Sequence, residues 1–269
     1  MSASARQQRI AALRDSIADI ERKPLLQQAA VASTASAGGF ACIGPGLVQE
    51  VFTDERRNGT ASLGFALGLA RDLLAGPRRV IAYLQLAKDS QELGVPYGAG
   101  LASLGVAPEQ VVLIRPADMV ELLWAAEEAL ACRGVAAVVA DIAGAPKILD
   151  FTASRRLSLR ASAGGASFFL LRYGLGREAS AAHLRWHISG ALSGEMPFDA
   201  RAPGEVRWLI NLEKGAVAGT RQKQWLLGWT EHGFHIVDSA ADGAASVRAG
   251  APLFGAAPAA LGHRLRHSA

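Results

Sequence analysis

The chain has 269 residues, half of them apolar, and a formal net charge of only +4. This length suits one α/β domain with extensions, and the apolar fraction is enough for a substantial core. Arginine supplies 23 of the 28 basic residues, a balance that permits weak contact with nucleic acid and that a GC-rich genome would also produce. Cys42 and Cys132 lack metal or redox spacing and no apolar run approaches the roughly 18 residues that span a bilayer, so the composition favours a reduced cytoplasmic protein.

The first segment, residues 6 to 22, predicts an amphipathic helix that Lys23-Pro24 ends. Its apolar stripe recurs at helical spacing and consists of Ile10, Leu13, Ile17 and Ile20. About two heptads are too short for an independent coiled coil. The stripe therefore docks either on the protein's own core or on a partner, and we interpret residues 1–30 as an N-terminal helical region whose stripe is a candidate partner contact.

From Gly44-Pro45-Gly46 onward, apolar runs alternate with amphipathic segments. The predicted strands are Leu47–Phe52, Arg79–Leu84, Gln110–Ile114, Val135–Ala140 and Ser167–Leu171. The predicted helices are Thr60–Leu74, Tyr97–Leu104, one that Asp118 caps with Glu121 completing a capping box, and Thr152–Ala163. This alternation is typical of an α/β fold with a mainly parallel sheet and helices on both faces.

The C-terminal part predicts antiparallel strands, because apolar and polar residues alternate between Gly-containing turns. These strands are Leu184–Ile188, Val206–Leu212, Gln224–Trp229 and Gly233–Asp238. The residues expected to face inward are Val206, Trp208, Ile210, Leu212, Trp225, Leu227 and Trp229. We place the core at 31–238 and expect the Ala/Gly/Pro-rich residues 239–269 to be a flexible tail.

The segment between the first strand of this alternating region and its helix lies where a phosphate-binding loop belongs. Such a loop needs glycines whose N–H groups cradle phosphate, a lysine for the terminal phosphates and a Ser or Thr for magnesium. On that template Thr53 and Asn58 replace glycines and Gly59 replaces the lysine, so only Thr60 conforms. The sequence therefore predicts a degenerate nucleotide site.

Two acidic residues, Asp54 and Glu55, also fall inside the would-be cradle. Like charges ~4 Å apart near a protein surface repel by ~4 kcal/mol. Bound phosphate would meet this repulsion, so the charges as well as the missing glycines predict a site hostile to a triphosphate.

The elements of this region follow the order of a RecA-type ATPase core: strand, degenerate loop, helix, two more strands and an apolar strand that ends in Asp141. In such a core Asp141 would order magnesium. The position of the glutamate that orients the attacking water reads Gln85-Leu86-Ala87-Lys88. With lysine, second glycine and glutamate absent, we predict no catalysis, no cofactor and no bound metal. An active alternative stays open, in which Thr60 and Asp141 hold magnesium and Arg56 or Arg57 contacts phosphate.

Five segments between about residues 44 and 230 together resemble the ImuA family. They are Gly46–Phe52, Tyr97–Gly105, Val112–Pro116, Leu122–Leu130 and Leu149–Leu157. The resemblance rests mainly on Leu122-Leu123-Trp124-Ala125 and Thr152-Ala153-Ser154-Arg155-Arg156-Leu157.

This resemblance implies a RecA-like accessory protein of SOS-induced translesion synthesis, in the cytoplasm and associated with the nucleoid. The family is encoded beside ImuB, an inactive Y-family polymerase relative, and an error-prone C-family polymerase. We therefore expect a non-catalytic adaptor that contacts an ImuB-type homologue, through it the polymerase, and also RecA. A cell-division inhibitor related to SulA is the alternative from a different class.

RecA-like recombinases hold single-stranded DNA with loops after the Walker-B strand and after the next strand. Here these are the short Ile142–Lys147 and Arg172–His183, with Tyr173 as the one aromatic residue available for stacking. The sequence thus disfavours filament formation on DNA. The candidate DNA contacts are Arg155, Arg156, Arg160, Arg172, Arg177 and Arg185, with a solvated helix face and loop as the alternative reading. His183 and His187 share a strand-like segment, where four-residue spacing does not converge on a metal.

Overall fold

The computed structural model describes residues 33–35, 39–196, 198–217 and 221–237. The chain divides into Met1–Val237 and Asp238–Ala269. The predicted N-terminal helix, with Ile10, Leu13, Ile17 and Ile20, and the predicted tail lie outside the described residues, so both stay predictions.

The described strands comprise one large mixed sheet and two small hairpins. In chain order they are β1 Ser33–Ala35, β2 Ala41–Ile43, β3 Val48–Thr53, β4 Val80–Gln85, β5 Val111–Ile114, β6 Val135–Asp141, β7 Ser167–Tyr173, β8 Leu184–Ala191, β9 Glu195–Met196, β10 Asp199–Pro203, β11 Arg207–Lys214, β12 Gln224–Thr230 and β13 Gly233–Ile236. β1 pairs with β2 and β9 with β10, both antiparallel. The large sheet has the order β13-β12-β11-β8-β3-β7-β6-β4-β5.

The α-helices of the described region are α1 Gly59–Arg71, α2 Ala87–Leu93, α3 Gly98–Ser103, α4 Met119–Ala131 and α5 Phe151–Gly164. Asp118 caps α4 as predicted, accepting from the N–H groups of Val120 at 2.8 Å and Glu121 at 3.0 Å. Glu121 accepts from the N–H of Ala117 at 2.9 Å, one residue before the predicted partner. Helix α2 was missed, because its short, polar sequence has no apolar period.

Strand pairing changes from parallel to antiparallel between β8 and β11. β8, β3, β7, β6, β4 and β5 run parallel, while β11, β12 and β13 continue the sheet in antiparallel fashion. The predicted mainly parallel sheet with antiparallel C-terminal strands is confirmed. The direction predicted for Leu184–Ile188 was half wrong, since β8 pairs parallel with β3 and antiparallel with β11. Alternation of apolar and polar residues indicates that one face of a strand is buried, but it does not indicate whether the adjacent strand runs parallel or antiparallel.

Each face of the sheet carries its own apolar core. One core joins Phe65 of α1 and Leu101 of α3 to the C-terminal aromatic residues, and the other packs α4 and α5 against β4, β6 and β7. Trp208 and Trp225 are only 2% and 4% exposed, so these tryptophans are core residues. Val206 was expected to face inward but is 56% exposed, because β11 begins one residue later.

Candidate functional site

The carboxyl ends of β4, β6 and β7 lie side by side and open into a cleft of about 490 Å³. Gln85 at the end of β4 is in register with Asp141 at the end of β6. Helices α1 and α3 supply apolar walls. The cleft brings together Gly59, Thr60 and Asp141 of the predicted degenerate nucleotide site.

Asp141 is held by hydrogen bonds that the sequence did not predict. The Tyr83 hydroxyl donates to Oδ2 at 2.8 Å and the Tyr173 hydroxyl donates to Oδ1 at 2.7 Å. Gln85 Nε2 makes a longer contact of 3.4 Å with Oδ2. Burial raises the pKa of the Asp141 carboxyl, and the two phenol donors oppose this shift.

Burial also raises the pKa of Tyr83 and of Tyr173, and the charge of Asp141 adds to both shifts. Both phenols therefore stay protonated at physiological pH and serve as donors. Each oxygen of the carboxylate that would order magnesium in a RecA-type ATPase thus accepts a hydrogen bond from within the chain.

Tyr173 also fills the space in front of Gly59, the residue at the lysine position. A Cβ atom placed on Gly59 would lie 3.1 Å from the Tyr173 hydroxyl, closer than ordinary van der Waals contact. A lysine in place of Gly59 would therefore require the phenol to shift by a few tenths of an ångström.

The loop before α1 is a single 3-10 turn, Arg56–Asn58. Asp54 lies 2.9 Å from His187 Nε2 and 4.0 Å from Arg177, while Glu55 pairs with Arg57. Each acidic residue predicted to repel phosphate is therefore matched by a cationic or polar neighbour.

Asp89, which sequence reasoning missed, does not line the cleft but pairs with Arg56, which does. The predicted glutamate window ended at Lys88, and Asp89 follows it in the first turn of α2 with 6% exposure. Its Oδ1 lies 3.4 Å from Arg56 Nη2, and its charge raises the pKa of Asp141. Arg56, the alternative phosphate contact, also lies 3.9 Å from Glu92 and is thus held by carboxylates.

A magnesium nucleotide, which a motor-type core implies, does not fit these residues. The Asp141 oxygens accept from phenols, and Gly59, which replaces the lysine, has the Tyr173 hydroxyl 3.1 Å from the place of a Cβ atom. Over the described part of the chain, no group of three or more His, Cys, Asp or Glu side chains is placed to hold a metal ion.

The six candidate DNA-contact arginines do not form one surface. Arg172, Arg177 and Arg185 pair with Glu178, Glu213 and Glu50 at 2.6, 2.8 and 2.8 Å, and Arg172 and Arg185 lie on the central strands β7 and β8. Arg155, Arg156 and Arg160 lie exposed on α5, where Arg156 is 3.0 Å from Glu127. Arg155 and Arg160 therefore keep the clearest access to a polyanion.

His183 and His187, which share β8 and the loop before it, have separate structural roles. His183 Nδ1 accepts from the N–H of Val48 at 3.0 Å, and burial lowers the pKa of its imidazole. His187 contacts Asp54. Within the described segments, no helix is both long and apolar enough for a membrane span.

A groove of about 510 Å³ with mixed apolar and charged lining, the charges being those of Glu127, Asp150 and Arg156, lies between α4 and the start of α5, on the opposite side of the sheet from α1. Val120, Trp124 and Ile148 line it and are 61%, 67% and 44% exposed. Exposed apolar side chains that include a tryptophan are typical of protein interaction sites. We call it the Trp124 groove.

Comparison with known proteins identifies the family. No family model matches the chain. Protein ImuA from two strains of Caulobacter vibrioides is 32% identical over 203 residues, which cover 70% of this chain and 78% of the relative. The chain belongs to the ImuA family. The predicted family resemblance is thereby confirmed.

Among solved structures, the RadB recombinase is similar, with 16% identity and a TM-score of 0.48 over 72% of this chain and 92% of that one. β3, which leads into the degenerate loop, is central, and one strand separates it from β6 and Asp141.

Replacing Asp141 with asparagine should stabilise this protein increasingly as the pH rises. A carboxyl whose folded pKa is raised favours folding below its ordinary pKa, and that contribution is lost as pH rises through the folded value. The asparagine does not titrate, so the difference in unfolding free energy, variant minus wild type, should grow from about pH 4 to about pH 8. Urea denaturation of both proteins, with exposed Glu128→Gln as control, measures it. A difference that shrinks with pH would contradict the assignment.

Proposed function

We propose that this chain is a non-catalytic adaptor that uses a RecA-like core as an interaction platform in SOS-induced, error-prone translesion synthesis. One observation carries the proposal: the Tyr173 hydroxyl donates to Asp141 and packs against Gly59. The same phenol thereby lies close to where a lysine side chain would begin and donates to one oxygen of the carboxylate at the magnesium position. A nucleotide site altered in this way favours a role in binding proteins over phosphoryl transfer.

The proposed direct partner is an ImuB-type inactive Y-family polymerase homologue. Through it the chain would reach the error-prone C-family polymerase, and RecA is a further proposed partner. Membership in the ImuA family supports this assignment.

Two surfaces are proposed for the contact. One is the apolar stripe Ile10, Leu13, Ile17 and Ile20, which lies outside the described residues. The other is the Trp124 groove, formed by the two helices whose motifs carry most of the family resemblance. Burying a few large apolar side chains contributes ~1.5–3 kcal/mol each, which suffices for a stable complex.

Co-purification of the full chain with the ImuB-type homologue tests the proposal. Deletion of residues 1–23 and, separately, Trp124→Ala should each weaken the complex, the latter by about tenfold or more because interface tryptophans are frequent hot spots. Leu159→Ala is the matched control, since Leu159 is 54% exposed on α5 but does not line the groove. Unchanged binding for both altered proteins would refute these surfaces. Capture of a tubulin-like division protein in place of the polymerase homologue would favour the SulA-like alternative.

A further inference from the structure

The two edges of the large sheet differ in how the described residues cover them. At one edge, β13 is bridged by Gly39, and the ring of Phe40 lies 5.9 Å from that of Phe234. At the other edge, β5 pairs with β4 and with no other described strand. The backbone N–H and C=O groups on the outer side of β5 are therefore available to a further strand.

β5 also lacks the features that usually protect an edge strand. It consists of Val111, Val112, Leu113 and Ile114, without a charge, a proline or a glycine. Val112 and Leu113 are 48% and 40% exposed, and as neighbours in a strand they lie on opposite faces of the sheet. Natural sheets protect a free edge with charged side chains, proline or a bulge, because an apolar edge pairs readily with another strand. An unprotected edge of this kind is typical of a strand-pairing interface.

The charges at the two ends of β5 indicate which strand fits. Glu109 lies before the strand and Arg115 directly after it, and both are exposed. Neither forms an ion pair with another described residue. An antiparallel second copy of β5 presents the same two charges in reverse order, so that each glutamate meets an arginine.

Symmetry limits the register of such a pairing. Hydrogen-bonded and non-hydrogen-bonded pairs alternate along an antiparallel ladder, so a two-fold axis through the sheet must place one residue opposite its own copy. With Val112 on the axis, Val111 lies opposite Leu113 and Glu109 lies opposite Arg115, each contact occurring twice. With Leu113 on the axis, Arg115 would instead lie opposite Val111. The charges therefore favour the register centred on Val112.

We propose that this protein forms a two-fold symmetric dimer in which β5 pairs antiparallel with β5 of a second copy, with Val112 on the axis. The pairing joins the two nine-stranded sheets into one and gives the outer backbone groups of β5 their hydrogen-bond partners. It also forms two Glu109–Arg115 ion pairs. This inference goes beyond the adaptor function, which does not depend on it.

Sedimentation velocity of the full-length protein tests the dimer. Because a single edge-strand contact is small, we expect a reversible equilibrium with a dimer Kd on the order of micromolar, sampled from about 1 to about 100 µM. The average mass should rise with concentration from 28.1 kDa towards twice that value. A protein that stays monomeric at all these concentrations, or that forms assemblies larger than a dimer, would overturn the inference and leave the adaptor function intact.

A charge exchange tests the register. Arg115→Glu and, separately, Glu109→Arg place like charges opposite each other twice, and each should raise the dimer Kd about tenfold or more. The double variant restores opposite charges in exchanged positions and should recover the dimer. Arg133→Glu is the matched control, because Arg133 is exposed in the loop before β6, and it should leave the Kd unchanged. A dimer that Arg115→Glu does not weaken, or a double variant as weak as the single ones, would refute this pairing.

Discussion

Replacing Arg185 with alanine should lower the free energy of unfolding by about 3–5 kcal/mol, the usual cost of breaking a buried ion pair by removing one partner. Arg185 in β8 is in register with Glu50 in the neighbouring β3, and its Nε donates to Glu50 Oε2 at 2.8 Å. The two side chains are only 12% and 3% exposed. The substitution would leave the Glu50 carboxylate buried without this donor.

Arg160→Ala is the control, because Arg160 is an exposed residue of α5. It should change stability by less than about 0.5 kcal/mol. Adding Glu50→Gln to Arg185→Ala should recover part of the loss, since the cost comes mainly from the unpaired carboxylate. An Arg185→Ala protein with unchanged stability and reduced affinity for single-stranded DNA would instead support the DNA contact predicted from the sequence.

Replacing Tyr173 with phenylalanine should cost about 1.5–3 kcal/mol at neutral pH, the range for a hydrogen bond to a charged group. The substitution removes the hydroxyl that donates to Asp141 Oδ1 and leaves the ring in place. Because protonated Asp141 depends less on this donor, the cost should fall as the pH is lowered towards about 4.

Tyr97→Phe is a control with the same chemical change, since Tyr97 is 79% exposed. It should leave stability nearly unchanged. Chemical denaturation of a double-mutant cycle with Asp141→Asn measures the coupling. A cost for Tyr173→Phe that persists undiminished in the Asp141→Asn background would show that the phenol stabilises the fold through some other contact.

Much of the sheet could be predicted from sequence because buried parallel strands are continuous apolar runs, as Val135–Ala140 shows. The partner of a strand is a different question. The alternation in β8 showed one-sided burial but could not reveal that β8 pairs parallel with β3. Helix α2 was missed because the sequence of Ala87–Leu93 is short and polar.

The candidate site was predictable only at residues that a motif names. Gly59, Thr60 and Asp141 were found in this way, and they do line one cleft. Tyr83 and Tyr173 lie 58 and 32 residues from Asp141 in the chain, so only strand order and register bring their hydroxyls to it. Parallel pairing of β4 and β7 on either side of β6 was the signal that could have found them.

The central claim is that the Tyr173–Asp141 contact makes the cleft unable to bind magnesium ATP. Titration of the full-length protein with labelled ATP and magnesium, followed by equilibrium dialysis, tests this claim most directly. We predict no saturable binding up to about 1 mM, which corresponds to a binding free energy weaker than about −4 kcal/mol. Saturable binding with a micromolar Kd that Asp141→Asn abolishes would contradict the claim and restore the ATPase alternative.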